Sequence, residues 1–342
     1  MQLCLGTAKG IVVIDPERGA TPRMISADPP SVWCMAQDCA APRVIYAGSI
    51  HNRQVGSARG KGALAVSEDG GRSWRDISPT GAHDEEVWAL ATAPDRPGEI
   101  FVGTSNARIF HSDDGGRSFS ECTTFLKQPG RDRWTFPQPP HIPHVRSLSF
   151  DPQDSNTLYV GVEEGGAFRS RDRGETFEPL HSSIYADVHE LMRDPHDSRR
   201  IYATTGDGLY VSNSGGASWM HVKGMERSYT VPLLASRQRR GLIYTAAAAG
   251  PPPTWTMDYF GADALVYRST DAGESFAPIA QFDGRAHPMR GMVMRLVAHP
   301  GDEQIIFGAL SDGSVLKIDE REEVISVVAE KLPPIYDLAI LP

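Results

Sequence analysis

Cysteine is scarce: Cys4, Cys34, Cys39 and Cys122 are the four in 342 residues. They form no paired Cys-x-x-Cys set, which excludes the common zinc and dithiol motifs and offers no disulfide framework. Core or surface thiols in a reducing, cytoplasmic compartment are expected. No apolar run approaches 18 residues, so no transmembrane helix and no membrane partner are expected. Met1 is followed by neither a basic segment nor a long apolar stretch, so no secretory leader is expected either. No Lys/Arg run occurs and the net charge is −9, which argues against nucleic acid as a partner. Gly-x-Ser-x-Gly, a Walker loop and a dinucleotide-type Gly-x-Gly-x-x-Gly are also missing. That excludes nucleophile-elbow, phosphate-loop and dinucleotide chemistry.

What the chain does have is glycine (33), proline (26) and one short pattern copied five times. The copies run Ser67–Trp74, Ser112–Phe119, Ser170–Phe177, Ser212–Trp219 and Ser269–Phe276, each Ser-x-Asp-x-Gly-x-Ser/Thr-Trp/Phe. The fourth carries Ser214 in place of Asp. Each copy contains its own turn chemistry. The carboxylate accepts backbone N–H groups further on, glycine supplies positive φ, and the hydroxyl caps the turn. The aromatic then re-enters the core. The Ser214 turn is expected to be held more weakly. The copies start 45, 58, 42 and 57 residues apart. A unit of about 42 residues fits four short strands, the size of one propeller blade.

The motif resembles the Asp box, or bacterial neuraminidase repeat, of sialidases, xyloglucanase-type glycosidases, sortilin-type receptors and a photosystem II assembly factor. The resemblance implies an all-β propeller. It implies little about chemistry, because in those families the box lies on the blade rim, away from the ligand site. The sialidase Arg-Ile-Pro segment is missing and no Tyr/Glu pair can be assigned, so sialidase activity is not expected.

A second pattern gives the blade count. Apolar runs at Val32, Val87, Val145, Val188, Val231, Val293 and Ile335 read as seven inner strands, the one at 231 fitting loosely. The last has no partner after it, and Gln2–Ser26 has no inner strand before it. Pairing the two closes a ring without open edges. The expectation is one propeller domain over 1–342. Blade 1 comes from 1–27 plus 335–342 and blades 2–7 from 32–328. Six blades is the alternative if the 231 unit is misread. Closure makes a monomer the default.

Four stretches exceed a minimal blade: Ile50–Gly62, Thr123–Pro143, Ala246–Ala264 and Ala280–Arg290. All fall on the face where inner strands begin, so the ligand site is expected over that channel mouth. Trp134, Trp255 and Tyr259 lie in these loops and suit stacking on a ring, or packing the loops down. Aligned inner strands bring Glu86, His144 and Asp187 to one position, and Trp88, Arg146 and His189 two residues later. Glu190 and Tyr336 follow at the same level, and Arg290 could hold an anionic group there. Glu86, Asp187 and Glu190 with Arg146 are the catalytic candidates, since glycoside cleavage needs two acids across a bond. Trp88, Trp134, Trp255, Tyr259, Arg290 and Tyr336 are the ligand-binding candidates. His144 and His189, with Glu86 or Asp187 as the carboxylate and His51 as a further ligand, are candidates for a divalent metal ion, or the histidines are structural and tie blades together. Two functions stay open. One is a ligand-binding or glycosidase-like propeller, metal-assisted or not, for a small polar or carbohydrate-like molecule. The other is a non-catalytic protein-interaction scaffold.

Overall fold

The computed structural model of the chain describes every residue except 18, 20, 51–63, 181, 256–260, 280–285, 323 and 342. The described residues form seven four-stranded antiparallel sheets, and the chain is an all-β, seven-bladed propeller. Helix among them is limited to Pro252–Trp255 and the short turns Phe125–Lys127 and Arg131–Arg133.

The inner strands are Val32–Gln37, Val87–Thr92, Val145–Phe150, Val188–Arg193, Tyr229–Ala235, Val293–His299 and Ile335–Leu341. Each packs against the next, and Ile335–Leu341 packs against Val32–Gln37 to complete the circle. In blade 1, Ile335–Leu341 pairs with Gln2–Thr7, with Leu3 opposite Ile340 and Leu5 opposite Leu338. Leu3, Leu5, Ile335 and Leu338 share one buried cluster, so the closure is apolar as well as hydrogen-bonded. Val32, Val87, Val145 and Val188 each seat on a glycine of the preceding blade. Val87 lies against Gly48, where a Cβ would collide with its side chain.

The five repeats are the outer turns. Ser67 Oγ accepts the Gly71 N–H at 2.8 Å and donates to Asp69 Oδ1 at 2.9 Å. Asp69 Oδ1 accepts the N–H groups of Arg72 and Ser73, both at 2.9 Å, and Oδ2 accepts the Ser73 hydroxyl at 2.6 Å. Two successive left-handed residues, Gly70 and Gly71, turn the chain. In the fourth copy Ser214 Oγ still accepts the Ser218 N–H at 2.9 Å, but one hydroxyl stands where the others have two carboxylate oxygens.

Candidate functional site

The inner strands share one irregularity. Val32 pairs with Ser49 and Cys34 with Gly48, leaving Trp33 outside the ladder. Trp88, Arg146, His189, Met294 and Tyr336 are the extra residues of five other blades. In blade 6 the break falls between Thr230 and Leu233, around Pro232, which has no N–H to give. A bulge bends its strand and re-aims a side chain. Repeated around a ring, it directs one side chain per blade to the same level.

Those side chains meet. Trp33 lies edge-on to Trp88 at 4.9 Å and tilted against Tyr336 at 5.0 Å. The Arg146 guanidinium sits 4.9 Å over the Trp33 ring. Trp88 stacks on His144 at 3.7 Å, and Phe136 from the 123–143 loop covers both, 6.1 Å from Trp88 and 4.7 Å from His144. Glu86 Oε2 accepts the Trp88 indole N–H at 3.2 Å, fixing the ring. Trp33, Trp88 and Tyr336 are half-buried, so aromatic surface remains open. Loops of adjacent blades join on this face. The Ala107 N–H donates to the Pro143 carbonyl at 2.9 Å, and the Ala262 N–H to the Arg290 carbonyl at 2.7 Å.

A charged layer comes from the residues just after the bulges. Arg295 Nη1 donates to Glu190 Oε1 at 3.2 Å, and its Nε is 3.5 Å from Asp337 Oδ1. Glu190 Oε2 also accepts the Leu233 N–H at 2.8 Å, and Asp337 Oδ2 the Met35 N–H at 2.6 Å. Glu190 thus ties its blade to blade 6, Asp337 ties its own to blade 2, and Arg295 joins both acids. The Arg295 side chain is 43% accessible although it sits among inner strands. Burial raises the pKa of both Glu190 and Asp337, with Arg295 as the main opposing influence. For Arg295, burial works against the charge, and Asp337 and Glu190 more than offset it. Burial, helped by Asp337, pushes the Cys34 thiol well above its ordinary value.

A third group lies between blades 4 and 5. His144 Nε2 donates to Glu163 Oε2 at 2.7 Å, and Arg146 Nε lies 3.6 Å from the same oxygen. Burial alone would raise the Glu163 pKa, but His144, then His189 and Arg146, hold it below the ordinary carboxylate range. His189 Nδ1 donates to the Thr230 carbonyl at 2.5 Å, and its Nε2 faces Asp187 Oδ1 at 3.3 Å.

The structure therefore brings Glu86, Trp88, Arg146, His144 and Tyr336 together around the mouth, with Glu190, Asp187 and His189 beside them. It places Trp134 elsewhere: 5.6 Å from Phe125, 5.1 Å from Phe168 and under the Arg131 guanidinium. The Trp255 indole N–H donates to the Gly250 carbonyl at 2.7 Å, and the ring lies edge-on to Tyr229. Arg290 is exposed. His51 and Tyr259 lie outside the described residues. Sequence reasoning did not single out Trp33, Phe136 or Glu163. Trp33 carried a signal, because it aligns with Trp88. Glu163 had none, since it closes a second strand rather than opening an inner one.

No protein-family model matches the chain. A xyloglucanase of Hypocrea jecorina is 23% identical over 246 residues, covering 59% of this chain and 28% of that protein. The photosystem II assembly lipoprotein Ycf48 of Synechococcus sp. strain CC9902 is 24% identical over 172 residues, covering 50% of this chain and 43% of that protein. Among solved structures, the GH74 xyloglucanase from Xanthomonas campestris superposes with a TM-score of 0.69 at 14% identity. That match covers 95% of this chain and 52% of that one. YCF48 bound to D1 peptide superposes with a TM-score of 0.54 at 13% identity, over 87% of this chain and 80% of that one. The chain thus spans about half of the solved xyloglucanase and 28% of the curated one. At these identities the structural likeness is one of fold.

Proposed function

We propose that this propeller binds a carbohydrate-like, ring-bearing polar ligand on the aromatic surface at its channel mouth. The observation that carries the reading is the contact of Trp33, Trp88 and Tyr336, three half-buried rings delivered by equivalent bulges, with Arg146 over one of them. Flat aromatic faces suit the apolar faces of sugar rings, and Arg146 and Glu86 supply polar groups at the edge. Sequence similarity to xyloglucanases supports the same ligand class. Bond cleavage is a further step within this reading. Glu190 and Asp337 are its two carboxylates: burial favours the protonated form that a general acid needs, and Arg295, which meets both, favours the ionised form that the other must keep. The free thiols of all four cysteines support a reducing, cytoplasmic location, and the closed ring supports a monomer.

Calorimetric titration with xyloglucan oligosaccharides tests the reading. Saturable binding is expected, and Trp33→Ala or Trp88→Ala should weaken it by ~30-fold, the ~2 kcal/mol of a truncated aromatic anchor. Reducing-sugar release lost in Glu190→Gln would add catalysis. No heat of binding to the intact chain would refute the proposal.

A scaffold reading is favoured by a different observation. It is the sequence similarity to the photosystem II assembly lipoprotein Ycf48, 24% identical over 172 residues and 50% of this chain. Binding of an extended peptide that survives Trp88→Ala, without oligosaccharide binding, would favour it.

A further inference from the structure

We propose that Glu163, Asp187 and His189 form a buried binding site for one divalent first-row metal ion, with Zn2+ as the reference case. One potential ligand atom from each lies within 4.8 Å of the other two. The residues are 7%, 6% and 4% exposed.

The hydrogen bonds fix what each atom offers. A carbonyl oxygen can only accept, so His189 carries its proton on Nδ1, where it donates to the Thr230 carbonyl at 2.5 Å. In the neutral ring that leaves Nε2 as a bare lone pair. This Nε2 is sealed from water and has no hydrogen-bond partner. It points at Asp187 Oδ1, 3.3 Å away, which is equally sealed and equally without a partner. Two acceptors held face to face in a dry site repel each other unless a proton or a metal cation lies between them. The backbone carbonyl on Nδ1 is the arrangement that orients a metal-binding imidazole. Glu163 Oε2 accepts the His144 N–H at 2.7 Å, so His144 is a positioning residue. Gly206 completes the cradle: a Cβ there would collide with Asp187 Oδ2.

Two carboxylates and one imidazole suit a borderline metal such as Zn2+, and three protein ligands leave a coordination position open. Bonds of roughly 2.1 Å allow ligand atoms at most about 4.2 Å apart. A slight inward turn of one carboxylate therefore closes the site. The competing state is a proton on His189 Nε2, giving a buried imidazolium–carboxylate pair.

Metal alone is the probe, so the outcome does not depend on what the aromatic surface binds. The full chain is stripped with EDTA, equilibrated with Zn2+ and gel-filtered before metal analysis, and Co2+ is titrated in parallel. One Zn2+ per chain and a visible Co2+ ligand-field band are expected. Both should be lost in Asp187→Asn and in Glu163→Gln, while His144→Ala weakens the affinity by about 10- to 100-fold. Melting in EDTA confirms that each variant is folded. If a variant does not fold, the Co2+ spectrum of the unaltered chain still decides. No retained Zn2+ and no Co2+ band overturn the proposal in favour of the imidazolium pair. Zn2+ retained unchanged in the folded Asp187→Asn variant overturns it as well.

Discussion

Ser67, Ser112, Ser170, Ser212 and Ser269 are all nearly inaccessible, and each hydroxyl accepts the N–H of the glycine four residues on, at 2.8–2.9 Å. The serine is the constant part of the repeat, because the fourth copy keeps this bond while losing the aspartate. Removing it strands a buried N–H. Ser67→Ala should therefore cost roughly 1–3 kcal/mol in urea unfolding. The position after the aspartate, or after Ser214 in the fourth copy, is left-handed throughout, yet Arg173 (φ 54°) and Ala272 (φ 60°) occupy it where the other three have glycine. Arg173 is retained by ion pairs to Asp95 and Glu99. No such pair is available to Ala272, so Ala272→Gly should raise stability by up to about 1 kcal/mol. A lower melting temperature for that variant would contradict this account of the turn. These turn residues were legible in the sequence because their chemistry is local.

Elements were legible where the pattern is regular and less so where proline intervenes. Six inner strands begin at the residue where their apolar run begins. The seventh starts at Tyr229 rather than Val231, because Pro232 sits in the break and interrupts the periodicity that marks the others. The bulges were not legible at all. An inserted residue keeps the alignment of the runs intact and shows only when partner strands are registered. For Trp134 the sequence left stacking on a ligand and packing the loop down both open; the ring packs on Phe125 and Phe168, and Phe136 takes the place over Trp88. Leu338 is 3% exposed in the cluster that joins the two ends of the chain. Leu338→Ala should cost about 2–5 kcal/mol in equilibrium unfolding. A change near zero would mean that blade 1 contributes little to holding the circle.

At the scale of the molecule, charge is arranged with opposite effects at the rim and around the channel. At Asp69 and Asp114 the hydroxyls of Ser73 and Ser118 lead a lowering of the carboxylate pKa. At Asp172 and Asp271 burial opposes it, and the hydroxyls of Thr176 and Ser275 contribute most to overcoming burial, taking Asp271 down to about 2. A lowered folded-state pKa gives stability that is present above the unfolded value, ~3.9, and is lost as pH falls through the folded value. Urea midpoints should therefore fall between about pH 4 and pH 2, and less steeply in Asp271→Asn. Glu190 and Asp337 act in the opposite sense and at higher pH. Their pKa values are raised by burial, so the cost of their ionisation is relieved as pH falls through those values. The central claim, that the bulged residues around the channel mouth form a ligand-binding surface, has an internal control in the six indoles of the chain. Trp33 and Trp88 line the mouth, while Trp74, Trp134, Trp219 and Trp255 lie in turns, loops and cores. The most direct measurement is the indole N–H spectrum by 15N NMR during titration with xyloglucan oligosaccharides. Saturable shifts of Trp33 and Trp88, with the other four unmoved, are the expected result; Trp33 and Trp88 signals that stay fixed would contradict it.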